Sequence, residues 1–104
     1  MTVLDDFSSG KLENLSEIPG DVKGIRGDLR DPAACRKALQ GIEVVFHLGA
    51  RPSVARSVED PHESIAVNEA GTATLLAACR ESGARRLVYS SSSSVYGDDP
   101  SLPK

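Results

Sequence analysis

The stretch Leu87-Val88-Tyr89-Ser90-Ser91-Ser92-Ser93-Ser94-Val95-Tyr96-Gly97 carries the reading of this chain. Its opening, Leu87 to Tyr89, has the make-up of a short buried strand. By composition alone the serines read as a flexible linker. Their flanks point the other way, because Val88-Tyr89 and Val95-Tyr96 bracket the run. The run also closes a chain in which strand and helix patterns alternate. Serines at the carboxyl end of a strand lie where open α/β sheets gather their ligands. A hydroxyl there both donates and accepts hydrogen bonds.

Working outward, Glu43 to Leu48 is the clearest strand, and its near-continuous apolar run predicts cover on both faces. It ends at Gly49-Ala50, where small residues let a bound group approach the backbone. His47, in mid-strand, is expected to be a hydrogen-bonded core residue without a chemical role. Arg51-Pro52-Ser53-Val54 begins a loop. Asp60-Pro61 reads as an N-cap followed by a first-turn proline, opening a helix to about Ser82 with Gly83 as its stop. On that helix Ile65, Asn68, Thr72, Leu75, Leu76 and Cys79 recur at helical spacing and predict one buried face. Asn68 on such a face requires a hydrogen-bond partner. Upstream, Thr2-Val3-Leu4 is a strand stub that stops at the loop-type cluster Asp5-Asp6-Phe7-Ser8-Ser9-Gly10. Lys11 to Leu15 predicts a short helix and Val22 to Arg26 a strand. Asp31-Pro32 opens a second capped helix to Gln40, stopped by Gly41. Asp98 to Lys104 reads as a proline-rich exit.

Composition narrows the class. A 104-residue chain with 39% hydrophobic and 26% charged residues has the balance of a globular chain. A net charge of -3 gives no basic footprint for nucleic acid or an anionic membrane. The apolar runs are too short to span a bilayer, and the opening Met1-Thr2-Val3-Leu4, running at once into Asp5-Asp6, is not expected to be a signal peptide. The two cysteines, Cys35 and Cys79, read as reduced core thiols rather than a disulfide or a metal site, which suits a cytoplasmic protein.

These stretches together resemble the extended short-chain dehydrogenase/reductases, and among them the NAD-dependent nucleotide-sugar epimerases and dehydratases. The serine run is similar to the family's Ser-Ser-Ser-x-x-Val-Tyr-Gly signature. Leu4-Asp5-Asp6 to Gly10 matches its strand-end motif, Gly27-Asp28-Leu29-Arg30-Asp31 its Gly-Asp-(Leu/Ile)-x-Asp, and Val45-Phe46-His47-Leu48-Gly49-Ala50 its Val-(Phe/Ile)-His-(Leu/Phe)-Ala-(Ala/Gly). Asn68-Glu69-Ala70-Gly71-Thr72 matches its Asn-x-x-Gly-Thr. The resemblance implies a partial Rossmann-like, doubly wound parallel sheet and NAD as cofactor. Asp5 would accept both ribose hydroxyls, and Asp6, Phe7, Ser8, Ser9 and Gly10 would wrap the adenosine and its phosphate. Asp28 and Leu29 would meet the adenine. Leu48, Gly49 and Ala50 would line the cofactor, with Gly49 in place of the usual Ala. Arg51 would supply charge where some members carry a Lys one position later, here Pro52. Asn68 would brace the site or touch the cofactor directly, and Gly71 would let its helix lie close to the sheet. Ser92 falls on the catalytic Ser or Thr.

The implied activity is oxidation and re-reduction at C4 of a UDP-sugar through a keto-sugar, in a homodimer. A 4,6-dehydratase or a reductase of the same family is the alternative. Dehydratases of the family usually carry Thr-Asp-Glu where this chain has Ser92-Ser93-Ser94, which favours an epimerase or a simple reductase. Two family elements have no match here: the glycine fingerprint after the first strand, and Tyr-x-x-x-Lys. A non-catalytic nucleotide-binding fragment is therefore the reading from another class. The chain resembles an interior segment of an enzyme on the order of three times as long. In the strand order 3-2-1-4-5-6 the unmatched first strand is central. The strands at Val3 and Val22 are thus expected not to pair with those at Val44 and Leu87, and the isolated chain to fold poorly or to need a partner that fills the gap. A serine hydrolase is disfavoured, since no Gly-x-Ser-x-Gly elbow occurs.

Overall fold

Among the described residues, four strands of four residues each form two separate parallel pairs. The computed structural model describes residues 1–101; the end of the expected proline-rich exit, residues 102–104, lies outside the described residues. Strand β1 (Thr2–Asp5) pairs with β2 (Lys23–Arg26), with Leu4 opposite Ile25. Strand β3 (Val44–His47) pairs with β4 (Arg86–Tyr89), with Val45 opposite Leu87 and His47 opposite Tyr89. No ladder joins β1 to β3, as expected for a sheet whose central strand is not supplied.

The helices start where their caps dictate. Helix α1 (Pro32–Ala38) begins with the Asp31 side chain accepting from Ala33 N–H at 3.0 Å, and its end meets Gly41 at φ +72°. Helix α2 (Val54–Glu59) replaces the loop expected after Arg51. Its N-cap is Ser53, whose hydroxyl accepts from Arg56 N–H at 3.2 Å. Helix α3 (Pro61–Ile65) is capped by Asp60, which accepts from Glu63 N–H at 3.1 Å. The continuous helix expected from Pro61 to Ser82 is interrupted by a π-helical turn, Ala66–Ala70, before α4 (Gly71–Ser82). There Gly71 N–H bonds to the Ala66 carbonyl, five residues back. Gly83 ends α4 at φ +78°, a left-handed conformation that glycine adopts without steric cost.

The π turn corrects the predicted buried face. Its wider winding rotates the residues before it relative to those after it. Ile65 is 51% exposed, and Leu76, about 100° around the helix from Leu75, is 49% exposed. The buried side of α4 is Gly71, Leu75, Ala78 and Cys79. Leu75, Ala78 and Cys79 form the core with Cys35 of α1 and with Leu39, the residue that ends that helix, and Leu4, Val45 and Leu87 of the strands pack onto it. Both cysteines are free and buried in this one cluster, and burial raises both thiol pKa values.

The expected cover on both faces of β3 is absent among the described residues. Val45 and His47 face the helices, while Phe46 is 69% exposed. One helical layer covers one face, and alternate strand residues point to the other. The accessible surface is 7770 Å², against about 5,600 Å² for a compact chain of this mass. The radius of gyration is 15.2 Å, against about 13 Å for a compact domain of this length. Among the described residues no helix is long and apolar enough to cross a membrane.

Candidate functional site

The loops that follow β1, β2 and β3 meet at one rim. Asp5, the last residue of β1, accepts from Phe7 N–H through Oδ1 at 2.8 Å. This short loop bond accompanies a left-handed Phe7 at φ +53°, over whose ring the Arg26 guanidinium lies 5.2 Å from the centroid. Asp5 Oδ2 has no hydrogen-bond partner among the described residues, and Gly10 lies beside it, where a β-carbon would make an ordinary contact at 3.7 Å. Asp6 Oδ1 accepts from Ser8 N–H at 2.9 Å and from the Ser8 hydroxyl at 2.7 Å. The Ser8 amide, the Ser8 hydroxyl and then Arg51 hold the Asp6 carboxyl below its usual range.

Asp28, after β2, is differently occupied. Arg30 grips it through its backbone N–H at 2.8 Å, through Nε at 3.0 and 3.1 Å, and through Nη2 at 2.7 Å. Those bonds lower the Asp28 pKa. Arg30 Nη1 also donates to Glu63 Oε2 at 3.0 Å. Glu63 Oε1 lies 3.4 Å from Arg51 Nη2, which is also 3.8 Å from Asp6 Oδ2, and Arg51 Nη1 donates to Ser8 Oγ at 3.3 Å. One carboxylate on α3 thus links arginines that belong to the two different strand pairs.

Two small residues and one asparagine set the rim's shape. A β-carbon on Gly49 would sit 2.6 Å from Leu29 Cδ1, and one on Gly71 would sit 3.3 Å from Leu29 Cβ. Leu29 therefore fills the room that both glycines leave. The close approach expected of Gly71 is to this loop, the element placed against it here, rather than to a strand. The Asn68 Oδ1 accepts from Arg51 N–H at 2.7 Å, and its Nδ2 donates to the Arg51 carbonyl at 3.3 Å. That bracket is the partner Asn68 was expected to need, and it fixes the backbone at the end of β3.

Beneath the rim, His47 is 3% exposed, with Nε2 2.8 Å from Thr72 Oγ1. The Thr72 hydroxyl spends its only proton on the Asn68 carbonyl at 2.6 Å. His47 Nε2 must then be the donor, which fixes the tautomer. Burial lowers the His47 pKa, which favours the neutral ring. This is the core role expected of it.

The structure brings together Asp5, Asp6, Phe7, Ser8, Gly10, Asp28, Leu29, Gly49, Arg51 and Asn68. Ser9, Leu48 and Ala50 are exposed on the same loops. Ser92 stands on the next strand's extension, where Ser90 N–H bonds to the His47 carbonyl at 3.2 Å. Its hydroxyl accepts from Ser94 N–H at 3.2 Å and caps a 3₁₀ turn, Ser93–Tyr96. The run is thus a structured turn at the strand's carboxyl edge. Arg30 and Glu63 were not found from sequence: they lie 33 residues apart, and two isolated charges in surface segments give no signal of pairing. Among the described residues no cluster of His, Cys, Asp and Glu could hold a metal ion.

Comparison with known proteins bears on what this rim holds. The model of the NAD dependent epimerase/dehydratase family matches residues 1–104. A UDP-glucose 4-epimerase from Mycolicibacterium smegmatis is 41% identical over 96% of this chain, which spans 33% of that protein's length. A UDP-N-acetylglucosamine 4-epimerase from Methanobrevibacter ruminantium, solved with UDP-N-acetylmuramic acid, superposes with a TM-score of 0.87 at 38% identity, over 99% of this chain and 33% of that one. The UDP-glucose 4-epimerase of Thermus thermophilus, solved with NAD, gives 0.79 at 40% identity, over 88% of this chain and 29% of that one.

Proposed function

This chain belongs to the NAD dependent epimerase/dehydratase family, and from that premise we propose that it forms the adenosine-holding part of an NAD-dependent nucleotide-sugar epimerase acting at C4 of a UDP-sugar. The observation that carries the reading is the convergence of three strand-end loops on one rim, with one Asp5 oxygen left unpaired there. A free carboxylate oxygen at the end of such a strand can accept from a ribose hydroxyl, and it disfavours a 2′-phosphate by charge repulsion. Leu29 offers an apolar surface for the adenine beside Asp28. Asn68 brackets the backbone of Arg51, whose guanidinium reaches Asp6 and Ser8 and would supply the rim's cation. Ser92 would hydrogen-bond the hydroxyl at the reacting carbon. Bound NAD would supply hydride removal and return. The tyrosine and lysine of the family pattern would come from polypeptide beyond the segment matched here. A cytoplasmic homodimer fits this reading. The serines at 93 and 94, where dehydratases carry Asp and Glu, favour epimerisation over water elimination.

The test is made in a longer polypeptide of which these residues are part. Asp5→Ala is expected to weaken NAD binding by about tenfold or more, the factor that roughly one charge-assisted hydrogen bond supplies. Ser92→Ala is expected to lower kcat with NAD affinity unchanged. Titration calorimetry and sugar-nucleotide turnover read the two effects. Unchanged NAD affinity in Asp5→Ala would overturn the assignment.

A further inference from the structure

We propose that Arg30 and Glu63 are positioning residues that set how strongly the protein selects adenine: Arg30 occupies Asp28 while the rim is empty, and Glu63 takes over the Arg30 guanidinium when adenine arrives. The inference rests on the reading of Asp28 as the neighbour of the adenine. It goes beyond that reading to two side chains that act on the base only through Asp28.

The lone pairs of the two carboxylates carry the argument. An ionised carboxylate has about four sites for donors. At Asp28 Arg30 fills them. Oδ1 accepts from the Arg30 backbone N–H at 2.8 Å and from Nε at 3.0 Å, while Oδ2 accepts from Nε at 3.1 Å and from Nη2 at 2.7 Å. The Arg30 side-chain bonds are the main cause of the lowered Asp28 pKa, so Asp28 is ionised and has no proton of its own to offer. The exocyclic amino group of adenine is a donor. It reaches Asp28 only in place of a bond that Arg30 now makes. The Arg30 backbone N–H belongs to a tight turn, which the Asp31 N–H closes onto the Asp28 carbonyl at 3.0 Å. The guanidinium is therefore the part that yields.

Glu63 has the room that Asp28 lacks. Its Oε2 accepts from Arg30 Nη1 at 3.0 Å, and its Oε1 accepts from Arg51 Nη2 at 3.4 Å. Its remaining lone pairs have no donor among the described residues. The Asp60 cap fixes its backbone at the start of α3, and Arg51 holds it from the far side. The Arg30 and Glu63 side chains are 37% and 39% exposed, which leaves the guanidinium free to swing between the two carboxylates. With Glu63 present, a guanidinium that leaves Asp28 exchanges one charged acceptor for another. Without Glu63 it exchanges a charged acceptor for water, and adenine must overcome that loss. A hydrogen bond to a charged group corresponds to a factor of about ten or more.

The test uses the longer polypeptide in which Asp5→Ala is measured. The probes are NAD and its keto analogue, nicotinamide hypoxanthine dinucleotide, which presents an acceptor oxygen where adenine presents a donor. Titration calorimetry gives both affinities, and their ratio is the readout. The unaltered protein is expected to favour NAD by about tenfold or more. Glu63→Ala is expected to lower that ratio about tenfold. A loosened Arg51 or α3 would weaken both dinucleotides alike and leave the ratio as it was. Arg30→Met added to Glu63→Ala is expected to restore the ratio, because nothing then competes for Asp28. Binding of the analogue shows that each variant is folded; should Glu63→Ala bind neither dinucleotide, the isosteric Glu63→Gln takes its place. An unchanged ratio in the Glu63 variant, or a double variant no better than it, would overturn the proposal. Asp28→Ala tells this failure from that of the underlying reading. If it removes the preference for NAD, Asp28 does meet adenine and only the exchange is wrong. If the preference survives it, the placement of adenine is wrong and the exchange falls with it.

Discussion

At the scale of single residues, His47 shows how the interior dictates chemistry. Its ring is buried and its Nε2 proton is committed to Thr72, so burial holds its pKa below the ordinary 6.5. A group whose folded pKa is depressed binds protons more readily in the unfolded chain. Its stabilisation is present above pH 6.5 and is lost as pH falls from there towards the folded pKa. The ring's NMR titration is expected to have its midpoint below 6.5, and His47→Gln to flatten the pH dependence of helical signal over that window. Gly27 tests packing instead. A β-carbon there would lie 3.0 Å from both Ala34 Cβ and Leu4 Cδ1. The leucine tip can swing, but Ala34 Cβ retreats only if α1 moves. Gly27→Ala is expected to cost about 1–3 kcal/mol, read as a lower midpoint for loss of helical circular dichroism. The core role of His47 was legible in sequence because an apolar strand surrounds it. The crowding at Gly27 was not, because Ala34 and Leu4 approach it from different elements.

At the scale of elements, caps were the legible part. Asp31-Pro32 and Asp60-Pro61 start helices by bonds that span two or three residues, so a short window of sequence contains the whole interaction. Ser53 offered the same signal for α2, obscured by the loop reading of Arg51-Pro52. The π turn at Ala66–Ala70 was not legible. It places Asn68 so that both of its amide atoms reach the Arg51 backbone, a demand set by a loop 17 residues away. Asn68→Leu leaves two part-buried backbone groups without partners. It is expected to destabilise by about 1–3 kcal/mol for each and to speed exchange of the Arg51 amide. Unchanged exchange there would mean that the bracket does not hold the loop.

At the scale of the whole molecule, the described residues bury little. The buried apolar residues are Ile25, Cys35, Leu39, Leu75, Ala78 and Cys79, and two separate parallel pairs carry the strands. Such a core sits near the limit of independent stability for a small chain. Heating the isolated chain is expected to give a broad, weakly cooperative loss of helix; a sharp transition for the monomer would contradict this. By itself the sequence determined which segments are strands, where two of the helices are capped, that His47 belongs to the core, and which motifs stand at the strand ends. Each of these is written in neighbouring residues, through periodicity, cap chemistry and backbone preference. Only the tertiary structure decided that Phe46 lies bare, that Leu29 fills the space at Gly49 and Gly71, and that Glu63 links Arg30 to Arg51. An apolar or charged residue specifies what kind of neighbour it favours, whereas which neighbour arrives depends on how distant surfaces are brought together.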